Sequence, residues 1–243
     1  MILLATDFGL AGPYVGQMHL VLCRLAPEVP VIDLQHDLPA FRPDLAAPLI
    51  AAHLELARPG DVLVAVVDPG VGTDRRALVL RLDGIWCVGP DNGLFELALR
   101  RARAVEAFAI VWRPERLSAS FHGRDLFAPQ AARLARGLRE GLEPAHPTRF
   151  EDWPDDPPRI VYLDPYGNGW TGLRADRLAR GTRLQAGGRT LARARTFGEV
   201  PAGSAFWYEN SSGLAEIAVN GGSAAALLGL RPGDPVAIVA ADC

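Results

Sequence analysis

Residues 62–67 form an unbroken apolar run, Val-Leu-Val-Ala-Val-Val, closed by Asp68-Pro69-Gly70. A run this short, rich in β-branched residues and ended by turn formers, reads as a central strand covered on both faces. Such a strand needs layers of helix on either side, and the flanking sequence supplies them. Strand-like runs occur at residues 2–5, 31–34, 77–82, 85–88 and 104–111. Between them, residues 14–25, 44–57, 92–101 and 125–138 space their apolar side chains at helical intervals. Residues 1–140 are therefore expected to form a layered α/β N-terminal domain with a largely parallel sheet.

The pattern then changes. Pro144, Pro147, Pro154, Pro157 and Pro158 interrupt it, and Glu151, Asp152, Asp155 and Asp156 make it acidic, so residues 141–158 read as a linker. Residues 160–163, 189–194, 205–209, 215–219 and 236–239 are short strand signals separated by glycine-rich turns, with one short helix at 223–228. Residues 159–243 are expected to form an all-β, barrel-like C-terminal domain.

Composition removes several functions. The 25 basic residues are all Arg, so a Schiff-base lysine and a Walker-type phosphate loop are both impossible. The net charge is −3 and no basic stripe is present, which argues against a nucleic-acid partner. Cys23, Cys87 and Cys243 form no C-x-x-C pair and read as buried thiols of a reducing compartment. The chain enters its first strand without a basic leader, and no apolar run reaches membrane-spanning length, so a cytoplasmic protein with no membrane partner is expected.

Polar segments sit where the strands stop, which is where open α/β sheets bind ligands. Asp7, in Thr6-Asp7-Phe8-Gly9, offers a carboxylate suited to the two hydroxyls of a ribose. After residue 67, the turn from Asp68 to Arg76 can bring Asp68 and Arg75 together, either as a site or as a structural ion pair. Gly89-Pro90-Asp91-Asn92-Gly93 reads as structural, with Asp91 or Asn92 capping a helix. Phe121-His122-Gly123-Arg124-Asp125 places a histidine at a helix start. In the β half, Asn168 follows the turn at Asp164, and Ser211, Glu216 and Asn220 flank an apolar strand.

Taken in order, these segments resemble the S-adenosyl-L-methionine hydroxide adenosyltransferases, relatives of the fluorinase and chlorinase enzymes. The resemblance runs from Thr6-Asp7-Phe8-Gly9 through Asp68 to Arg75 and His122-Gly123-Arg124-Asp125. It continues through Asp164 to Asn168 and ends in Asn210-Ser211-Ser212-Gly213 with Glu216 to Asn220. It implies a homotrimer with active sites between subunits, a small-molecule substrate and no cofactor, S-adenosyl-L-methionine being the substrate itself. Asp7 would hold the ribose hydroxyls. Asn168, Ser211, Glu216 and the backbone at Val219 would line the adenine side, and Asp164 would meet the methionine amine. Asp68, Arg75 and His122 would form the triad that readies a water, with no metal. The halogenating relatives carry tyrosine in the place of Asp68. The chain departs from the family pattern at Gly172, where an Asn is usual, and at Leu214-Ala215, where a basic residue is missing.

The implied reaction is hydrolysis to adenosine and L-methionine. A trialkyl sulfonium leaves as a neutral thioether, so the nucleophile is what the site must supply. Two other readings compete. Asp7, Asp68, His122 and Asp125 could hold a divalent cation in a nucleotide phosphatase. The same pocket without turnover would make an adenosine or S-adenosylmethionine sensor. A methyltransferase is disfavoured, because Gly9, Gly12 and Gly16 lack the spacing of the dinucleotide-type fingerprint.

Overall fold

The apolar runs become the middle of a seven-stranded sheet in a computed structural model of the chain, which describes residues 1–239. Its strands are β1 (Ile2–Thr6), β2 (Val31–Gln35), β3 (Val62–Val66), β4 (Ala77–Leu82), β5 (Ile85–Pro90), β6 (Val105–Ile110) and β7 (Leu142–Pro144). They lie in the order β2-β1-β3-β5-β4-β6-β7, and every residue of β1 and β3 is buried. Helix α1 (Tyr14–Leu25) and helix α4 (Ala128–Ala135) pack on the face presented by Ile2, Leu4, Val62 and Val64. The alternate residues Leu3 and Leu63 point to the opposite face. Helix α2 (Pro43–Leu54) buries eight consecutive residues and packs with helix α3 (Glu96–Arg101).

The sheet is mixed rather than largely parallel. β1–β2, β1–β3 and β3–β5 run parallel, whereas β4–β5, β4–β6 and β6–β7 are antiparallel. The reason lies in Asp83-Gly84, whose φ values of 48° and 89° are the positive pair of a type I′ turn. That turn folds β4 straight back onto β5 as a two-residue hairpin, so no helix crosses between them.

Two expected helices are shorter than their apolar spacing suggests. Asn92 is not a helix cap: α3 starts at Glu96, after Gly93 has taken φ 92°. The helix expected from residue 125 begins as a π-helical turn, Gly123–Phe127, that leads into α4.

The segment 141–158 is not a free linker over its first part. β7 pairs with β6, and the Thr148 amide donates to Asp91 Oδ1 at 2.9 Å. Glu96, whose side chain is 1% exposed, takes Arg100 at 2.8 Å and Arg149 at 3.0 Å. A carboxylate so buried needs cationic partners, and Arg149 fastens the chain there. The chain divides into two compact units accordingly, Met1–Glu151 and one beginning at Asp152.

The second unit contains β8 (Ile160–Leu163), β9 (Gly169–Arg174), β10 (Arg183–Ala186), β11 (Arg189–Leu191), β12 (Ala205–Glu209), β13 (Leu214–Val219) and β14 (Ala237–Val239). They make two antiparallel sheets, β12-β13-β9-β8 and β11-β10-β14. Outside these sheets, isolated bridges link Arg159 to Pro235 and Arg193 to Trp207. Among the described residues the strands of this unit thus form two antiparallel sheets. Fully buried Trp207 and Ile217 fill the core, and helix α5 (Ala224–Leu228) is capped by Ser223 Oγ, which accepts from the Ala226 amide at 3.1 Å.

Cys87 is buried, and burial pushes its thiol pKa up. Cys23 is exposed, contrary to expectation, because it lies on the outer side of α1; Cys243 is outside the described residues. Among the described residues no helix is long and apolar enough to cross a membrane.

Candidate active site

In the first unit the polar turns after β1 and β3 lie next to each other because those strands are parallel neighbours. Asp7 follows β1, and its Oδ2 accepts the Phe41 amide at 3.1 Å. Burial raises the Asp7 pKa; the Phe41 N–H opposes that shift, and the nearby Asp68 charge adds to it. Phe41 was not singled out from sequence. Its φ is 61°, unusual for a bulky residue, and the residue is 72% exposed. Strain of this kind, of order 1–3 kcal/mol, persists where the surroundings fix a residue for use. The only sequence signal was an aromatic residue in the polar loop before Pro43.

Asp68 and Arg75 do meet. Arg75 Nε donates to Asp68 Oδ1 at 3.0 Å, and Nη2 donates to Oδ2. This bidentate pair is nearly dry, with the Asp68 and Arg75 side chains 5% and 8% exposed. The turn that joins them is closed by Thr73, whose Oγ1 donates to the Gly70 carbonyl at 2.7 Å and accepts the Arg75 amide at 3.3 Å. Gly72 is obligatory there, since φ is 80° and a Cβ would lie 2.6 Å from the Ala119 carbonyl oxygen.

His122 completes the cluster. Arg75 Nη2 is 3.2 Å from His122 Nδ1, and a guanidinium can only donate, so Nδ1 carries the lone pair and Nε2 the proton. Burial lowers the His122 pKa below 6.5, the Arg75 charge lowers it further, and Asp68 partly offsets both. The imidazole is neutral near pH 7. Arg75 Nη1 also donates to the Arg76 carbonyl at 2.8 Å, and the guanidinium stacks 5.5 Å from the Phe127 ring. Four of its five N–H groups are thus assigned, and one on Nη1 has no acceptor among the described residues.

Gly123 has a packing reason rather than a ligand-facing one. A Cβ there would meet the rings of Phe121 and Phe8 at 3.1 and 3.3 Å. Phe8, Tyr14 and Phe121 form a triangle with centroids 5.4–5.8 Å apart, tying the Asp7 loop to the His122 segment. Arg124 and Asp125 pair with each other at 2.6 Å, and Asp125 also accepts the Ser118 amide. The cation site of the phosphatase reading thus lacks a free Asp125. Among the described residues no three His, Cys, Asp or Glu side chains are placed to share a metal ion.

In the second unit, Asp164, Asn168, Ser211, Glu216 and Val219 all line one cavity of about 690 Å³. That volume suits a small organic molecule. Asp164 shapes its own turn: Oδ1 accepts the Tyr166 and Asn168 amides at 2.9 and 2.8 Å, and Oδ2 accepts Asn168 Nδ2 at 3.1 Å. Glu216 is 2% exposed and accepts Tyr208 Oη at 2.6 Å and Asn210 Nδ2 at 3.0 Å. Burial raises its pKa, against the pull of the Tyr208 hydrogen bond; burial and Glu216 together push the Tyr208 pKa up. Tyr166 and Trp170 share this cavity and were not picked out from sequence. Tyr166 is 80% exposed, while the buried Trp170 indole N–H has no acceptor among the described residues. An exposed aromatic on a cavity wall offers a face for a ligand to stack on.

Comparison with known proteins covers nearly the whole chain. Residues 2–142 match the model of the SAM hydroxide adenosyltransferase N-terminal domain, and residues 158–237 that of its C-terminal domain. A Thermus thermophilus protein named (R)-S-adenosyl-L-methionine hydrolase is 43% identical, over 96% of this chain and 97% of its own. One of the same name from Salinispora arenicola is 39% identical, over 97% and 96%. A solved structure of an uncharacterized conserved protein from Thermotoga maritima superposes with a TM-score of 0.87 at 29% identity, covering 98% of this chain and all of the other.

Proposed function

The chain belongs to the SAM hydroxide adenosyltransferase family, and from that premise we propose that it hydrolyses S-adenosyl-L-methionine to adenosine and L-methionine. The observation that carries the reading is the dry Asp68–Arg75 pair with neutral His122 beside it, at the carboxyl ends of parallel strands. A water attacks C5′ in line with the C5′–S bond. The C–O bond forms as the C–S bond breaks, the bonding pair leaves with sulfur, and one water proton must be taken up. Holding the water in line supplies part of the acceleration, up to roughly 7–11 kcal/mol in ideal intramolecular cases.

Each side chain then has a role. His122 Nδ1 is occupied by Arg75, so the proton passes to Asp68, whose oxygens keep further lone pairs. The remaining Arg75 N–H faces the charge that develops on the attacking oxygen. Asp7 takes the ribose hydroxyls. Asn168, Ser211, Glu216 and Val219 serve the adenine side, and Asp164 the methionine amine. Glu216 works partly through others, because both its oxygens already orient Tyr208 and Asn210. The resemblance adds a homotrimer in which different copies contribute the two sets of residues, a barrel-like second domain and a cytoplasmic location; the free thiols fit the last of these.

Incubation with S-adenosyl-L-methionine should release adenosine and methionine in equal amounts, followed by chromatography, and a chelator should leave the rate unchanged. Substrate bound but never cleaved would favour the sensor, and loss of activity to chelator the phosphatase. If the site is shared between copies, mixing Asp68→Asn and Asn168→Ala variants should restore turnover that neither has alone. No recovery after subunit exchange would refute the sharing.

The titration of His122 gives a pH test. Its neutral form accepts from Arg75, and burial and the Arg75 charge lower its pKa, so kcat/KM, which reports the free enzyme, should hold through pH 7 and fall at lower pH, as Nδ1 gains a proton and repels the guanidinium. His122→Gln should change that acid limb of kcat/KM. An unaltered profile in the glutamine variant would remove His122 from the chemistry.

A further inference from the structure

The turn Gly89-Pro90-Asp91-Asn92-Gly93 reads from sequence as mere punctuation. Its contacts reach instead the residues beside the two members of the reactive pair, Val67 and Arg76. Asn92 Nδ2 donates to the Val67 carbonyl at 2.9 Å, immediately before Asp68, while its Oδ1 accepts the Leu94 amide at 3.3 Å. The Asp91 amide donates at 3.0 Å to the Arg76 carbonyl, the same oxygen that accepts Arg75 Nη1 at 2.8 Å. The Asp91 carboxylate, 2% exposed, binds Arg76 Nη2 at 2.7 Å and the Thr148 amide and hydroxyl at 2.9 and 3.1 Å.

We propose that the Asp91-Asn92 turn positions the hydrolytic pair, with the Asn92 side chain fixing the backbone that aims Asp68 and the Asp91 backbone amide fixing the carbonyl that aims Arg75. The inference rests on the hydrolase reading and deepens it. The physical requirement comes from the turn itself. Residues 69–74 contain Pro69, Gly70 and Gly72, and residues 72–74 are exposed, so the loop between the two side chains is poorly suited to fixing their distance to a substrate. Asp91 and Asn92 follow β5, which lies between β3 and β4 in the sheet. One residue pair therefore registers the end of β3 against the start of β4. Orientation of a reacting group is sensitive to displacements of about 1 Å, which can cost about 10²-fold in rate. Thr148 extends the linkage to the proline-rich segment, which is held by the same carboxylate.

Asn92→Ala tests this with the full chain, since it removes one amide without stranding a buried charge. The expected result is a fall in kcat of about 10–100-fold with KM for S-adenosyl-L-methionine and Kd for adenosine little changed. In an Arg75→Lys background, whose ammonium cannot span Asp68 and the Arg76 carbonyl together, the same substitution should add almost nothing, because coupled residues are non-additive. A readout free of activity is ¹⁵N NMR of His122. The wild type should show an unprotonated Nδ1 held by Arg75, and Asn92→Ala should shift it towards a mixture of tautomers. Wild-type kcat and an unmoved His122 signal in Asn92→Ala would overturn the positioning role, as would losses that add fully to those of Arg75→Lys. A wild-type enzyme that releases no adenosine would instead sink the hydrolase reading, and the His122 signal would still report whether Asn92 governs the Asp68–Arg75 pair.

Discussion

Asp68→Asn is expected to lower kcat for adenosine release by about 10³-fold or more while adenosine still binds. Two losses combine. The carboxylate that takes the water proton is gone, and an amide offers one acceptor where Arg75 needs two. Arg75 Nε and Nη2 now engage both oxygens of Asp68, so the amide must turn its own N–H₂ towards one guanidinium donor. The guanidinium then loosens from the position that places its free N–H. Binding is spared because the cavity lined by Asn168, Ser211 and Glu216 lies in the second unit, and Asp7 keeps its own tether to Phe41. Initial rates by chromatography and adenosine Kd by calorimetry separate these effects. Wild-type kcat in this variant would remove Asp68 from the chemistry; a lost Kd with kcat retained would make it a binding residue instead.

Much of this site was legible because it stands at the ends of strands that hydrophobicity alone marks out. Residues 62–67 have one sensible place, the middle of a covered sheet, and Asp68 follows directly. The Asp68–Arg75 meeting needed only the glycine turn between them. What remained hidden depended on backbone geometry or on partners distant in sequence. The Asp83-Gly84 hairpin was written in the sequence but was outweighed by the alternation of strands and helices, and it turned half of the sheet antiparallel. β9 is hard to see in the sequence because Gly169 and Gly172 make it look like loop. A Cβ at Gly172 would lie 2.6 Å from the Pro157 carbonyl oxygen, so close backbone approach, not turn chemistry, explains that glycine. Asn92 looked like a cap because a polar residue before an apolar run usually is one. Its real acceptor, Val67, is 25 residues away, and no local pattern points to it.

Arg75→Ala should cost both activity and folding stability, and the two losses can be pulled apart. Removing the guanidinium leaves the Asp68 carboxylate 5% exposed with no cation, the situation in which breaking a buried pair costs about 3–5 kcal/mol. For a chain of this length that corresponds to a fall in Tm of roughly 6–20 °C. His122 Nδ1 also loses its donor, and the Phe127 ring its cation. Hydrolysis should fall by about 10³-fold, as for loss of a donor aimed at developing charge. Asp68→Leu combined with Arg75→Met removes both charges at similar volume, and such replacements are often neutral or stabilising. The double variant should therefore regain most of the lost Tm and none of the turnover. That divergence is what a charge pair kept for chemistry predicts. If the pair served only to hold the turn together, the double variant would recover activity along with stability, and calorimetric scans beside adenosine-release rates on the three proteins would reveal it.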